Sequence, residues 1–210
     1  MTRPLIISDC DEVLLHMVAP FKVWLESSQG VDFNLEGHNF AEALRWQSNG
    51  DVLEGMDVWK MLGRFFDTQM DTQEPIAGAV EAINALSEHA DVVVLTNLVD
   101  ERREKRADQL AGVGICAPVY TNQGPKGPPL KAILEEHGRD RPAFFIDDLA
   151  QHHVSVKEVA PRVTRLHMCG EPMIAGEITC AHKEGHADAR IDRWDEALPW
   201  LINRMEKEAA

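Results

Sequence analysis

The sequence predicts an α/β fold, a doubly wound parallel sheet with a small helical cap domain inserted near its start. Three observations carry the prediction. Apolar runs of strand length recur at 4–8, 92–96, 117–120, 143–147 and 163–168, and unbroken apolar runs suit strands buried on both faces of a parallel sheet. Helical patterns lie between these runs, and strands alternating with helices imply a doubly wound sheet. One segment, residues 15–74, follows the first run yet contains helical stretches and no convincing strand, and it is too long for a simple crossover.

The first run, Leu5-Ile6-Ile7, delivers Asp9-Cys10-Asp11 just past a strand end. In the insertion, Trp24, Trp46 and Trp59 are expected to form a local core with Leu53, Met56, Met61, Leu62, Phe65 and Phe66. The expected division is therefore a core of residues 1–14 and 75–210 and a cap of residues 15–74. Residues 75–89 read as a helix with Pro75 at its start and Val80, Ile83 and Leu86 on one stripe. The charged run Asp100-Glu101-Arg102-Arg103-Glu104-Lys105-Arg106 reads as the solvated face of a helix over 100–112. Residues 128–137 open on Pro128-Pro129 and stop near Gly138, as a helix should. Residues 170–188 read as a loop. Residues 193–206 read as a terminal helix with Leu198, Leu201, Ile202 and Met205 facing inward.

Bulk properties bound the function. A chain of 210 residues holds one good core, or a core plus a small accessory domain. The formal net charge of −14 argues against a non-specific grip on nucleic acid or an anionic membrane. An anionic substrate stays possible, because a metal ion and one lysine reverse the field locally. Cys10, Cys116, Cys169 and Cys180 have no CxxC spacing, so reduced thiols and a cytoplasmic location are expected. No signal peptide or membrane span is expected, and the oligomeric state is left open.

Four short segments carry the chemistry. Asp9 and Asp11 sit at i and i+2 after the first strand, and a central parallel strand opens its carboxyl end on the ligand crevice. The run Val92-Val93-Val94-Leu95 delivers Thr96-Asn97. Gly124-Pro125-Lys126-Gly127 presents a lysine from a loop stiffened by prolines. Phe144-Phe145-Ile146 delivers Asp147-Asp148, two adjacent acids that repel unless a cation is present. Carboxylates, a hydroxyl, a lysine and further carboxylates are what magnesium-dependent phosphoryl transfer needs.

In these four motifs, their order and the place of the insertion, the chain resembles the haloacid dehalogenase-like (HAD) hydrolase superfamily, with its Rossmann-like core. The resemblance implies that Asp9 is the nucleophile and Asp11 the general acid and base. It implies that Thr96 and Asn97 hold phosphoryl oxygens, and that Lys126, rather than the helical Lys131, aims an ammonium at them. It implies Mg²⁺ held by Asp9, the Asp11 carbonyl and Asp147, with Asp148 either a further ligand or the group that orients a metal-bound water. An acid at Asp11 favours phosphoryl transfer over carbon–halogen cleavage. The expected activity is a phosphatase acting on a small phosphorylated metabolite through an aspartyl-phosphate on Asp9. A phosphomutase, a phosphonate-cleaving enzyme and a non-catalytic binding module are the alternatives. The cap would select the substrate, with His16, Arg45 and Trp46 as candidates.

One departure stands out. Glu12 occupies a position where the family more usually has a glycine, putting a bulky acid where the backbone turns. Thr96 and Asn97 have an alternative reading as caps of the next helix. His152 and His153 are expected at the surface or behind the ligands. A zinc site from Cys169, Cys180, His182 and His186 lacks a close cysteine pair.

Overall fold

The computed structural model describes residues 3–35, 40 and 42–209. The chain runs through β1 (Leu5–Ser8), α1 (Val18–Trp24), a π-helical turn, β2 (Val31–Phe33), β3 (Leu44–Trp46) and α2 (Gly55–Gln69). It continues through α3 (Ala79–His89), β4 (Asp91–Thr96), α4 (Arg103–Gly112), β5 (Val119–Thr121), α5 (Gly127–His137) and β6 (Ala143–Asp147). It ends with α6 (Ala150–Val159), β7 (Thr164–His167), α7 (Pro172–Ala175), β8 (Ala189–Arg190) and α8 (Trp194–Ala209). Two units emerge, Met1–Leu15 with Pro75–Ala210, and His16–Glu74.

The first unit is built on a parallel sheet of order β5-β4-β1-β6-β7-β8 among the described residues. Successive side chains of a strand point to opposite faces, so each face needs its own helical cover. Ile6, Val92, Val94, Phe144 and Ile146 pack with Ile83 and Leu86 of α3, Leu110 of α4, and Trp194 and Leu201 of α8. Leu5, Ile7, Val93, Leu95 and Phe145 pack on the other face with Leu130 and Ile133 of α5 and Val156 of α6. Both faces are dry, which is why the strands read as unbroken apolar runs. The strand order reverses at β1, so the ligand crevice of such a sheet lies at the carboxyl ends of β1 and its two neighbours.

The second unit departs from an all-helical insertion. β2 and β3 form an antiparallel pair, with Val31 opposite Trp46 and Phe33 opposite Leu44. Strands of three residues are too short to print an alternating pattern. The core of this unit is phenylalanine-rich. Phe21 meets Phe65 edge-on at 5.3 Å between ring centroids and also packs on Phe33. Leu53 and Phe66 are buried as expected, but Met56 and Trp59 are 68% and 74% exposed. They lie three residues apart on α2, with Met56 on the side opposite the buried Val58 and Phe65.

Smaller corrections concern boundaries. α3 begins at Ala79 after Gly78, which takes φ of 80°, while Pro75 bridges Leu15. Residues 170–188 include the short α7, and β8 pairs with β7 beyond them. Among the described residues no helix is long and apolar enough to cross a membrane. All four cysteines are free.

Candidate active site

β1 delivers Asp9 between the carboxyl ends of β4 and β6, since Ser8 is level with both Val94 and Ile146. The Asp9 amide donates to the Ile146 carbonyl at 2.8 Å, extending the β1–β6 pairing by one residue. The chain then turns tightly, with the amides of Leu14 and Leu15 donating to the Cys10 carbonyl at 2.7 and 3.0 Å. Asp9 Oδ1 accepts from the Cys10 amide at 2.7 Å, which fixes the carboxylate at the sheet edge.

Lys126 reaches this point from the loop before α5. Its Nζ lies 2.6 Å from Asp9 Oδ1 and 2.7 Å from Asp147 Oδ2, and all three side chains are buried. Lys131 lies on the exposed face of α5. Carboxylate oxygens of Asp9, Asp147 and Asp148 converge within 4.8 Å of one another. One ammonium cannot neutralise three buried carboxylates. Burial, opposed by Lys126 and reinforced by Asp147, pushes Asp9 up to about 7. Burial and then its acidic neighbours Asp147 and Asp9 hold Asp148 well above the usual carboxylate range. Burial also opposes the charge on Asp147, but Lys126 together with His152 and His153 keeps that group below its ordinary value. The short Lys126–Asp9 contact therefore coexists with a raised Asp9, because burial and the neighbouring Asp147 charge outweigh the ammonium there.

Thr96, the last residue of β4, is fully buried, and its hydroxyl has no hydrogen-bond partner among the described residues. Such an orphan group costs about 1–3 kcal/mol unless a ligand satisfies it. Asn97 caps no helix. Its Nδ2 donates to the Gly124 carbonyl at 3.0 Å and its Oδ1 accepts from Asn122 at 3.0 Å. It braces the loop that carries Lys126, so its amide is already engaged.

Gly127 sets where that loop sits. A Cβ there would lie 2.4 Å from the Ser155 carbonyl oxygen of α6, and the Gly127 amide donates to Ser155 Oγ at 3.0 Å. Gly127→Ala should therefore push α5 from α6 and drag Lys126 off Asp9. We expect a loss of about 1–3 kcal/mol in urea denaturation together with a fall in any turnover. An unchanged denaturation midpoint would show that α5 and α6 separate freely.

Two histidines hold the acidic pair from behind. His153 Nε2 donates to the Asp147 carbonyl at 2.9 Å, and His167 Nε2 donates to the Asp148 carbonyl at 2.7 Å. His167 Nδ1 accepts from the Ala181 amide at 2.9 Å, so the ring is neutral with its proton on Nε2. Burial pushes His153 down to about 4, so it too is neutral near pH 7. His152 is buried with Nε2 3.4 Å from Asn97 Nδ2. Neither His152 nor His153 is a surface residue. His153 sits three residues before Val156 on the buried stripe of α6, and that spacing was the available signal.

Asp11 lies beside the cluster rather than in it. Its carboxylate is gripped by Arg106, whose Nη2 is 3.0 and 3.2 Å from the two oxygens, while Nη1 contacts Cys10 Sγ at 3.2 Å. Arg106 is 0% exposed and corrects the reading of residues 100–106 as a wholly solvated face. It stands one turn before the buried Leu110, so its position on the inward stripe was the clue. Burial raises the Cys10 thiol, which leaves it un-ionised.

Glu12 takes φ of 61°, the one positive value at a non-glycine among the described residues. Holding a side chain there costs on the order of 1–3 kcal/mol. The turn is locked by Gly170, whose amide donates to the Glu12 carbonyl at 2.6 Å. A Cβ at Gly170 would lie 2.5 Å from Ile76, so only glycine allows that approach. His182 and His186 do not converge with Cys169 and Cys180 into a ligand cluster among the described residues. His16, Arg45 and Trp46 belong to the second unit.

By sequence, no family profile and no curated protein matches the chain. By structure the likeness is extensive. A haloacid dehalogenase-like family hydrolase from Streptococcus pneumoniae superposes with a TM-score of 0.66 at 12% identity, covering 95% of this chain and 98% of that one. A predicted phosphoglycolate phosphatase from Haemophilus somnus gives 0.62 at 13% identity, covering 94% and 97%. A proposed HAD-hydrolase from Bacillus subtilis, bound to magnesium, gives 0.61 at 16% identity, covering 96% and 99%. The chain has the HAD-like fold. Within this HAD-like fold, Asp9, Thr96, Lys126, Asp147 and Asp148 gather at the carboxyl ends of β1, β4 and β6 and the loop before α5.

Proposed function

We propose that the chain is a Mg²⁺-dependent phosphatase that hydrolyses a small phosphorylated metabolite through an aspartyl-phosphate on Asp9. The observation that carries this reading is the excess of buried carboxylate over cation at Asp9, Asp147 and Asp148, beside an unsatisfied Thr96 hydroxyl. The donor set is all oxygen, which suits a hard divalent ion such as Mg²⁺. Asp9, Asp147 and Asp148, with the Asp11 carbonyl, would hold it. When bound, the ion neutralises phosphoryl oxygens and the surplus carboxylate charge.

The chain's own residues account for the rest. Asp9 Oδ attacks phosphorus, the P–O bond to the leaving group breaks, and its electron pair departs with the leaving oxygen. Asp11 supplies the proton that this oxygen takes up, then accepts one from the water that attacks the aspartyl-phosphate. Lys126 fixes Asp9 and offers its charge to the phosphoryl oxygens. The Thr96 hydroxyl donates to one of them, gaining the partner it lacks.

The reading is tested by phosphate release from a panel of phosphorylated metabolites in Mg²⁺ or EDTA. Metal-dependent release from a subset is expected; silence across the panel in Mg²⁺ would sink the proposal. Binding has its own signature. Protons and Mg²⁺ compete for the same oxygens, and Asp9 is raised to about 7. The Mg²⁺-induced rise in Tm should therefore be larger at pH 8 than at pH 5.5. At a hundredfold excess over Kd the linkage is worth about 2.7 kcal/mol, or roughly 5–10 °C. A shift that is equal at both pH values would place the ion elsewhere.

A further inference from the structure

The buried Arg106 has no role in the chemistry derived so far. A guanidinium is costly to bury and is kept where its planar fork does something a hydrocarbon cannot. Here it lies beneath the Asp9–Asp11 turn, with Nη1 on Cys10 Sγ at 3.2 Å and Nη2 on both Asp11 oxygens at 3.0 and 3.2 Å. The methylene stem of Arg106 packs in the interior, where a methionine would fill much the same space. The head contacts the one carboxylate of the turn that Lys126 does not reach. The Asp11 side chain keeps 18% of its surface exposed, so it meets solvent on one side and Arg106 on the other.

Two cations from different parts of the chain thus divide the two carboxylates. Lys126, from the loop before α5, fixes Asp9. Arg106, from α4, fixes Asp11. We propose that Arg106 is the positioning residue for proton transfer by Asp11, holding its carboxyl group where the leaving oxygen and the attacking water pass. The proposal rests on the phosphatase reading. In the first half-reaction the Asp9 oxygen–phosphorus bond forms, the bond to the leaving oxygen breaks, and the Asp11 proton moves to that oxygen. In the second, water adds to phosphorus, its proton passes to Asp11, and the bond to Asp9 breaks. Arg106 contacts the Asp11 carboxylate and not the phosphoryl group or the leaving oxygen. It acts through the place it gives Asp11.

The test is a double-mutant cycle in Mg²⁺ with an alkyl phosphate from the active part of the panel and with p-nitrophenyl phosphate. Arg106→Met should lower kcat on the alkyl phosphate by about 10–100-fold, within the range of general acid–base catalysis. It should change kcat less than twofold in an Asp11→Asn background, because the group it positions is already gone. Arg106→Lys should restore part of the loss. The p-nitrophenolate leaving group needs little protonation, so Arg106→Met should cost less there. Equal losses in both backgrounds would mean a general structural effect and overturn the proposal. If Arg106→Met does not fold, the Arg106→Lys variant carries the same cycle. If the wild-type protein releases no phosphate, the phosphatase reading fails separately. A crystal structure of the Arg106→Met protein then decides: an Asp11 carboxylate left in place would refute positioning by Arg106, and a displaced one would support it.

Discussion

Replacing Asp9 with Asn should abolish phosphate release and, in EDTA, make the protein more stable above neutral pH. The first half follows from the role of the side chain. An amide oxygen does not displace a phosphate ester, and loss of a catalytic nucleophile costs about 10⁴-fold or more. The second half follows from crowding. Asp9 titrates at about 7 in the folded protein, against 3.8 for an ordinary carboxyl. Between those values the folded protein keeps a proton that the unfolded chain has released, so stability falls as pH rises through the window. Asn carries no charge and avoids the loss. The advantage of Asp9→Asn should therefore build up between pH 4 and pH 7 and level off above, reaching about 2–4 kcal/mol. Urea denaturation in EDTA at several pH values measures it, and a phosphate-release assay measures the activity. A variant retaining activity within tenfold of wild type would remove Asp9 from the mechanism.

Lys126→Met should have the opposite effect on the fold. It deletes the ammonium that touches Asp9 and Asp147 and leaves three buried carboxylates facing one another. Breaking a buried pair by removing one partner costs about 3–5 kcal/mol. Mg²⁺ should recover part of this, so the metal-induced rise in Tm should exceed that of the wild type. Turnover should still fall by about 10²–10³-fold in saturating Mg²⁺, the scale of losing one preorganised electrostatic contact. A variant that melts with wild type in EDTA would show that the carboxylates are relieved by protonation alone.

Much of this architecture could be read in the chain before any coordinates. Strands β1, β4 and β6 are buried on both faces, and that burial demands the apolar runs that announce them. Asp9, Thr96 and Asp147 sit at or just past strand ends because the sheet opens its crevice there. What escaped has physical reasons too. The charge of Arg106 is satisfied by Asp11, 95 positions away, and no local pattern reports a partner at that distance. His167 bonds the Asp148 carbonyl and the Ala181 amide across similarly silent gaps. β2 and β3 are too short to show a period. Trp59, counted with the core for its size, is exposed although it stands two turns before the buried Phe66 on α2. Asn97 follows Thr96 but points its amide at the loop of Lys126, and sequence alone does not separate bracing from binding.

The place of β1 in the sheet has a consequence for how the protein is made. Leu5 is level with Asp91 on one side and with Ala143 on the other, so β1 is flanked by partners that emerge much later. At ribosomal speeds of roughly 5–20 residues per second, β1 spends on the order of ten seconds with at least one edge bare. The acidic cluster likewise waits for β6, so no metal can organise the nascent chain early. Until then Leu5-Ile6-Ile7 is a short apolar strand with a bare edge, the kind of segment that associates between chains. Its shortness, and the acids that follow at once, are what a growing polypeptide has to keep that edge apart from others.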